Sequence, residues 1–364
     1  MTRPRVAVVG PVPPIRSGVA RHTAATAQAL ARVAQVRLWS FSRQYPGWLY
    51  PGEAERSADL HPPERLTIDW SLDGVSPLSW RRTASRIASW QPDLAVFPAW
   101  TFFLAPALGT VARSLRRRGV PVCAVVHNAV DHEAAWWKNR LSRWQLVQAD
   151  RYVAHNDTLA DDLRNVTPGA AVEVFPHPVF DDFPQPRGTL ARRAALELLF
   201  YGLVRPYKGL DIAIEALALS GRRDVRLTIA GEFWQGVDRT QAQIARLGLS
   251  DMVEILPGHV SDADTAELFA RADAVVLPYR TVSGSGIVPM ACHYGRAVIA
   301  SDLPGLASVI EDGRTGWLFP AEDAGSLGEI IAGLDRTQAG AAGRHAAAFG
   351  RTLTWEAFAR RILP

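Results

Sequence analysis

Short apolar runs that end in turn residues alternate along the chain with segments of helical periodicity. This alternation constrains the fold most, because repeated strand–helix units build parallel sheets covered by helices. Residues 18–34 place apolar side chains every three or four positions and predict an amphipathic helix. The strands predicted in the first half are residues 5–9, 36–41, 94–97, 122–126, 151–154 and 172–175.

The alternation stops in a proline-rich, charged linker at residues 176–193 and then starts again. Strands are predicted in the second half at residues 197–201, 225–230, 253–256, 274–277, 297–300 and 316–319. We therefore expect an α/β protein of two doubly wound, Rossmann-like domains, in which a shared ligand would lie in the cleft between them. The expected divisions are residues 1–186, residues 187–348 and a final helical segment, 349–364, that packs back on the first domain.

Composition excludes several classes of protein. With 48% hydrophobic and 21% charged residues, the 364-residue chain has the composition of a globular protein and is long enough to form two hydrophobic cores. No apolar run approaches the roughly 20 residues of a membrane-spanning helix, and no signal peptide is evident. The two cysteines, Cys123 and Cys292, lie far apart and suggest neither a disulfide framework nor a metal site. The expected location is the cytoplasm, with the inner face of the membrane as an alternative.

Positive charge is concentrated in the first half of the chain. Residues 1–186 carry 21 Lys and Arg against 16 Asp and Glu, a net charge of +5, whereas the whole chain has +4. An anionic partner, such as a membrane surface or a diphosphate-bearing acceptor, would suit this half. Solvated helix faces are the alternative. Nucleic acid is not expected, because no nucleic-acid-binding motif accompanies the charge.

The segment 202–211 carries the clearest chemical signal. It follows a predicted strand, opens a predicted helix and contains Arg205 and Lys208. Free backbone N–H groups, the helix dipole and two cations together form a site for a diphosphate. The chain has only two lysines among its 40 basic residues, so a lysine here is unusual. A surface ion pair beside a helix start is the alternative.

Polar residues also follow the strands of the first half. Ser17 and Gly18 open a predicted helix and would permit close approach to a ligand, although a plain capped turn is equally consistent. The predicted strand ends carry His127, His155 and His177, which we expect to line the cleft. For His155 and His177, local hydrogen bonding at a strand end is the favoured interpretation, whereas for His127 a functional role is favoured. Sugar-binding candidates are His127, Asn128, His132 and Glu133, and a metal is not expected because the His-x4-His spacing lacks a third ligand.

Several motifs in order resemble family 4 of the glycosyltransferases with the GT-B fold, over nearly the whole chain. Residues 202–211 resemble that family's Arg-x-x-Lys-Gly diphosphate motif. The later landmarks lie at residues 230–232, 256–260, 276–279, 295–301 and 311–316, and residues 41–46 with 127–133 resemble one branch of the family.

The resemblance implies a retaining transferase that moves a sugar from a nucleotide diphosphate donor without a metal or other cofactor. It assigns catalysis to His127, Arg205 and Lys208. Donor binding is expected at Ser17, Gly18, Gly231, Glu232, His259, Val260, Ser283, Gly284, Ser285 and Gly286. Acceptor binding is expected at Asn128, His132, Glu133, Trp136 and Trp137.

The chain departs from the family at one pair of positions. Family members commonly have two glutamates, separated by seven residues, that hold the donor, and Val282 and Met290 stand here instead. The loop 283–286, Ser-Gly-Ser-Gly, would supply hydroxyl and N–H groups in their place. A non-catalytic nucleotide-sugar-binding subunit is therefore an alternative function, and an isomerase or phosphorylase of the same fold is a weaker one. The expected acceptor is a glycan, a lipid-linked saccharide or a small-molecule natural product.

Overall fold

The chain folds into two compact units. A computed structural model describes residues 3–47, 56, 60–128, 136–180, 182–282 and 284–363. The first unit is Met1–Pro176 with Thr354–Pro364, and the second is His177–Leu353. The predicted boundary at residue 186 is too late, because the intervening segment packs on the second unit. Phe180 and Phe183 are buried, and the Tyr294 hydroxyl donates to the Pro184 carbonyl at 3.2 Å.

The first unit contains a parallel sheet of seven strands in the described residues, in the order β3-β2-β1-β4-β5-β6-β7. The strands are β1 (Arg5–Val9), β2 (Gln35–Arg43), β3 (Thr67–Asp73), β4 (Leu94–Ala99), β5 (Val122–Val126), β6 (Arg151–Ala154) and β7 (Val172–Val174). The helices are α1 (Gly18–Ala31), α2 (Pro77–Ser89), α3 (Ala105–Arg116), α4 (Trp136–Leu146) and α5 (Asp157–Val166), with α13 (Trp355–Ile362) added from the end of the chain.

In its described residues, the second unit has a parallel sheet of six strands in the order β10-β9-β8-β11-β12-β13. The strands are β8 (Leu196–Tyr201), β9 (Val225–Gly231), β10 (Val253–Pro257), β11 (Ala274–Leu277), β12 (Ala297–Ser301) and β13 (Gly316–Phe319). The helices are α6 (Leu210–Leu219), α7 (Asp238–Arg246), α8 (Asp262–Arg271), α9 (Ile287–His293), α10 (Pro304–Ala307), α11 (Ala324–Gly333) and α12 (Arg336–Gly350). The expected α/β class with two Rossmann-like units is confirmed.

The sequence pattern explains most of the strands. Central parallel strands are buried on both faces, so they read as continuous apolar runs, and β5 is buried at every position. The sequence analysis missed β3. That strand lies at the sheet edge, is half-buried along most of its length and mixes Asp69 and Asp73 with apolar residues.

The last helix completes the core of the first unit. Trp355, Phe358 and Ile362 of α13 are buried, and α13 packs against α1. The Arg151 guanidinium donates to the carbonyls of Leu363 and Arg361, each at 2.9 Å. Residues 349–353 belong to the second unit, so the predicted segment 349–364 is divided between the units.

The helices of both units are short. The longest in the described ranges are α12, with 15 residues, and α1, with 14. Across the part of the chain that the structure describes, no helix combines the length and apolar character needed to cross a membrane.

Candidate functional site

The strand order of the second sheet reverses between β8 and β11. In doubly wound sheets, ligands bind at the carboxyl ends of the strands beside such a switch point. The turn that follows β8 is residues 202–211, here called the diphosphate turn, and the loop that follows β11 is residues 278–286. The motif that the sequence analysis singled out therefore lies where this topology places a ligand.

Two glycines allow the backbone segments at this edge to approach closely. Gly209 ends a short 3-10 helix (Pro206–Lys208) with φ 63°, and a Cβ there would lie 1.9 Å from the Pro278 carbonyl oxygen. Gly231 has φ 147°, and a Cβ would lie 2.1 Å from the Gly202 carbonyl oxygen. These positive φ angles and contacts require glycine. The diphosphate turn is thereby fixed against the β9 and β11 loops.

The Arg205 side chain is held by the loop that follows β9. The Val204 N–H donates to the Glu232 carbonyl at 2.8 Å, and the Trp234 N–H donates back to Val204 at 3.2 Å. This pairing brings the Trp234 ring under the Arg205 guanidinium, 4.2 Å from carbon to ring centroid. The Nε atom of Arg205 is buried and has no hydrogen-bond partner in the described residues. The guanidinium is therefore oriented by an aromatic face and retains unused donors.

Lys208 adds a second positive charge to the turn. Burial, and then repulsion from Arg205, lowers the pKa of Lys208 to about 8. Its Nζ lies 5.7 Å from the centroid of the buried Tyr279 ring. Among the residues that the structure describes, neither cation forms an ion pair. The N-terminus of α6 thus carries two uncompensated cations in an electropositive turn.

The nearby carboxylate of Asp211 is neutralised by a different arginine. The Arg280 guanidinium binds both Asp211 carboxylate oxygens, at 3.0 and 2.7 Å, and also donates to the Pro206 carbonyl at 2.8 Å. Burial alone would raise the pKa of Asp211, but the Arg280 hydrogen bonds outweigh it and hold that pKa below its usual value. Arg280 therefore clamps the turn and leaves Arg205 and Lys208 available to an anion.

The other predicted donor residues of the second unit lie along the same sheet edge. Gly231 ends β9 and Glu232 follows it, and the Gly258 N–H, which precedes His259 and Val260, donates to the Gly231 carbonyl at 3.1 Å. After β11, the Ser285 hydroxyl accepts from the Ile287 N–H at 3.2 Å. Gly284 and Gly286 flank it and are exposed, while Ser283 lies outside the described residues. Met290, one of the two positions without a glutamate, is buried in α9.

The predicted residues of the first unit also follow strands. The Ser17 hydroxyl caps α1 by accepting from the Ala20 N–H at 3.0 Å, and Gly18 begins that helix. The N–H groups of His127 and Asn128 both donate to the Ala99 carbonyl, at 2.8 and 3.2 Å. The backbone after β5 is thereby fixed to the end of β4.

His127 and His155 come together with a third histidine that the sequence analysis missed. His22, from the interior of α1, lies 4.5 Å from His127 and 5.0 Å from His155 between ring centroids. Its only sequence signal is its place on the buried face of an amphipathic helix. His177 was expected beside them but belongs to the second unit, where it packs on Phe180 and burial lowers its pKa to about 4.

Two of the predicted acceptor residues lie on an exposed aromatic surface. Trp136 is 71% exposed and Trp137 46% exposed at the start of α4. Trp137 contacts Phe102 edge-to-face at 5.5 Å, and the Lys138 ammonium lies 4.9 Å from the Phe102 ring centroid. His132 and Glu133 lie outside the described residues.

Comparison with known proteins finds sugar-transferring relatives. A D-inositol 3-phosphate glycosyltransferase of Streptomyces avermitilis is 29% identical over 231 residues, 56% of this chain and 50% of that protein. The chain thus spans about half the length of that relative. A GDP-mannose:glycolipid 4-beta-D-mannosyltransferase of Xanthomonas campestris pv. campestris is 26% identical over 295 residues, 78% of this chain and 82% of that protein.

A solved structure supports the fold, and two family models show the family. Anabaena HepE, in complex with UDP, superposes with a TM-score of 0.77 at 18% identity over 98% of both chains. The model for glycosyl transferases group 1 matches residues 186–338, and the model for glycosyltransferase family 4 matches residues 16–183. The two matches are consecutive and span most of the chain, which belongs to the family 4 type of GT-B glycosyltransferases.

Proposed function

We propose that the protein transfers a sugar from a nucleoside diphosphate donor to a hydroxyl group of an acceptor. The observation that carries this proposal is the pair Arg205 and Lys208 at the N-terminus of α6, neither of which has an ion-pair partner in the described residues. A departing diphosphate develops negative charge that such fixed cations stabilise. HepE with bound UDP and the GDP-mannose-dependent relative support this class of donor.

A panel of ligands tests the donor. UDP, GDP and ADP, each with and without a linked hexose, are added to the protein in a thermal-shift assay, because a ligand that binds only the folded state raises its melting temperature. The stabilising nucleotide sugar is then incubated with candidate acceptors, and nucleotide release and product mass are measured. Failure of every nucleoside diphosphate to bind would reject the proposed donor class.

Substitution of either cation tests its role in the reaction. Arg205→Ala and Lys208→Ala should each lower turnover at saturating donor by about 10² or more, equivalent to about 3 kcal/mol of transition-state stabilisation. Arg246→Ala is a matched control, since Arg246 is an exposed arginine of the same unit at the end of α7. Near-normal turnover in both site variants would reject the assignment.

We propose further that transfer retains the anomeric configuration and requires no metal. The cationic turn would take the charge-stabilising part that a divalent ion plays in other transferases. Activity should therefore survive EDTA, and NMR of the first product formed should show the donor's anomeric configuration. Activity lost in EDTA and restored by Mg²⁺ or Mn²⁺ would refute metal independence, and an inverted product would refute retention.

The acceptor is assigned to the first unit. Exposed indole rings cover sugar faces and amphipathic surfaces well, and Trp136 and Trp137 present such rings beside Lys138. The positive charge of this half would favour an anionic or membrane-bound acceptor. Trp136→Ala with Trp137→Ala should raise the acceptor KM while the donor Kd changes less than about threefold, below 0.7 kcal/mol. The opposite pattern would show that the half-sites are reversed.

A non-catalytic nucleotide-sugar-binding subunit is the second candidate function. It is favoured by Val282 and Met290, which place apolar side chains where the family commonly has glutamates. A binding subunit would be stabilised by the nucleotide sugar without releasing nucleotide in the presence of any acceptor tested. Turnover that depends on Arg205 would exclude it.

A further inference from the structure

Three histidines from separate elements of the first unit converge on one point. His22 lies in α1, His127 follows β5 and His155 follows β6. Their ring centroids are 4.5 to 5.1 Å apart. One ring nitrogen of each residue lies within 4.8 Å of those of the other two. We call this group the histidine cluster.

Hydrogen bonds orient two of these rings. The Nδ1 atom of His155 lies 3.2 Å from the Phe175 carbonyl oxygen. Because a carbonyl oxygen only accepts, Nδ1 carries the proton in that bond and Nε2 has the lone pair. The Nδ1 atom of His22 is 3.3 Å from the Thr26 hydroxyl. Such outer partners are what fixes the tautomer and orientation of metal-binding histidines.

The surroundings of the cluster are apolar on one side. Trp355 and Phe358 of α13 pack on His22 at 4.9 and 5.3 Å between ring centroids, and Phe358 stacks on His155 at 5.7 Å. His22 and His155 are 2% and 8% exposed, whereas His127 is only half-buried. A ligand would therefore approach the cluster from the side of His127.

We propose that His22, His127 and His155 form a binding site for a divalent transition-metal ion of the Zn²⁺ type. Imidazole nitrogens suit zinc, and three histidines with one open position form a recurrent zinc environment, whereas Mg²⁺ and Ca²⁺ require oxygen ligands. The nitrogens of a tetrahedral zinc site are about 3.4 Å apart for Zn–N bonds near 2.0–2.1 Å, so binding requires small ring rotations.

The site has a consequence for activity, which rests on the proposed transfer reaction and on the sugar contact expected of His127. A zinc ion held by His127 removes that imidazole from contact with the donor sugar, so micromolar Zn²⁺ should inhibit transfer. EDTA should then restore activity. The ion is an inhibitor here, not a cofactor, and its binding can be measured without any substrate.

The untagged protein is titrated with ZnCl₂ by calorimetry and with CoCl₂ by visible absorption. We expect one ion per chain and the intense visible bands of tetrahedral Co²⁺. Since loss of an outer partner alone costs 10–100-fold in metal affinity, His22→Phe and His155→Phe should each weaken zinc binding by about 100-fold or more. His345→Gln, which removes an exposed histidine of the second unit, should bind like the wild type.

The possible failures are distinguishable. Wild-type protein without tetrahedral Co²⁺ absorption would overturn the site and needs no variant, as would unchanged zinc affinity in either folded Phe variant. If His22→Phe does not fold, His155→Phe decides the matter. Zinc that binds as expected but leaves transfer unchanged would contradict the catalytic part assigned to His127, and the metal site would stand.

Discussion

Lys208, which we propose binds the diphosphate, has a cost in stability. Its pKa is lowered to about 8 from the ordinary 10.5, by burial and then by Arg205. Between these pH values the unfolded chain holds a proton that the folded chain lacks, so this residue makes stability rise with pH across that window. Below pH 8 the folded protein bears the full cost of holding a charged, buried Lys208 ammonium beside Arg205. Lys208→Met should therefore raise the melting temperature at pH 7 while abolishing most nucleotide binding.

Diphosphate binding should raise the pKa of Lys208 again, because an anion favours the charged ammonium. Nucleoside diphosphate affinity is then expected to fall as the pH rises above 8. Calorimetry near pH 8.5, in buffers of different ionisation enthalpy, should show proton uptake on binding. Lys208→Arg is the control, since a guanidinium stays protonated throughout this range. Equal proton uptake in that variant would place the titrating group elsewhere.

We expect Trp234 to affect binding through its contact with Arg205. Removing the ring in Trp234→Ala should weaken nucleoside diphosphate binding by about two- to fivefold, the equivalent of an exposed cation–π contact of 0.5–1 kcal/mol. Trp234→Phe should restore part of the affinity. The free nucleoside, which has no phosphate, should bind all three proteins equally. If the nucleoside loses as much affinity as the diphosphate, the indole binds the base instead of positioning Arg205.

The residues of the site differ in how far the sequence predicts them. Arg205 and Lys208 are predictable because a strand, a turn and a helix start are all visible locally around them. Trp234 and His22 are not, because each is brought to the site by a contact with a residue distant in the chain or on another element. Arg280 was also missed, since only its bonds to Asp211 reveal its part in holding the turn.

Among the elements, the turn between β8 and α6 depends on Gly209. Gly209→Ala would place a Cβ against the Pro278 carbonyl oxygen at 1.9 Å, and it should lower both the melting temperature and nucleoside diphosphate affinity. Gly221→Ala, just beyond the other end of α6, is the matched control. Gly221 has a similar φ of 67° but open space around its Cβ position. Gly221→Ala should lower the free energy of unfolding only by the cost of a left-handed alanine, about 1–2 kcal/mol, and leave nucleoside diphosphate binding intact.

The ends of helices and strands were likewise predicted well where local sequence marks them and poorly where distant contacts decide them. Buried central strands were predicted almost to the residue, because continuous apolar runs between turn residues mark them. The helix predicted at residues 18–34 ends earlier, at Ala31. The prediction was too long because no proline or glycine near that end marks the boundary in the sequence. The edge strand β3 has weak burial on either face, and its pairing with β2 is not visible locally.

At the scale of the whole molecule, each unit depends on its own large buried side chains. Phe358 of α13 is fully buried in the first unit, and Phe319 of β13 is 1% exposed in the second. Replacing either with alanine should cost about 3–5 kcal/mol. Hydrogen exchange should then rise mainly in β1, β5 and β6 for Phe358→Ala, and mainly in β8, β11 and β12 for Phe319→Ala. An equal rise in hydrogen exchange in both units for either variant would contradict the division of the chain into two units.

The discontinuity of the first unit has a consequence for how the protein is made. Residues 354–364, which close its core over α1, leave the ribosome only after the whole of the second unit has been synthesised. Until then, the surface that Trp355 and Phe358 later cover is exposed on the nascent chain. The second unit is continuous in sequence and can finish folding first, so the half synthesised earlier is the later one to mature. Chaperones that recognise apolar surface would have their longest opportunity on the first unit.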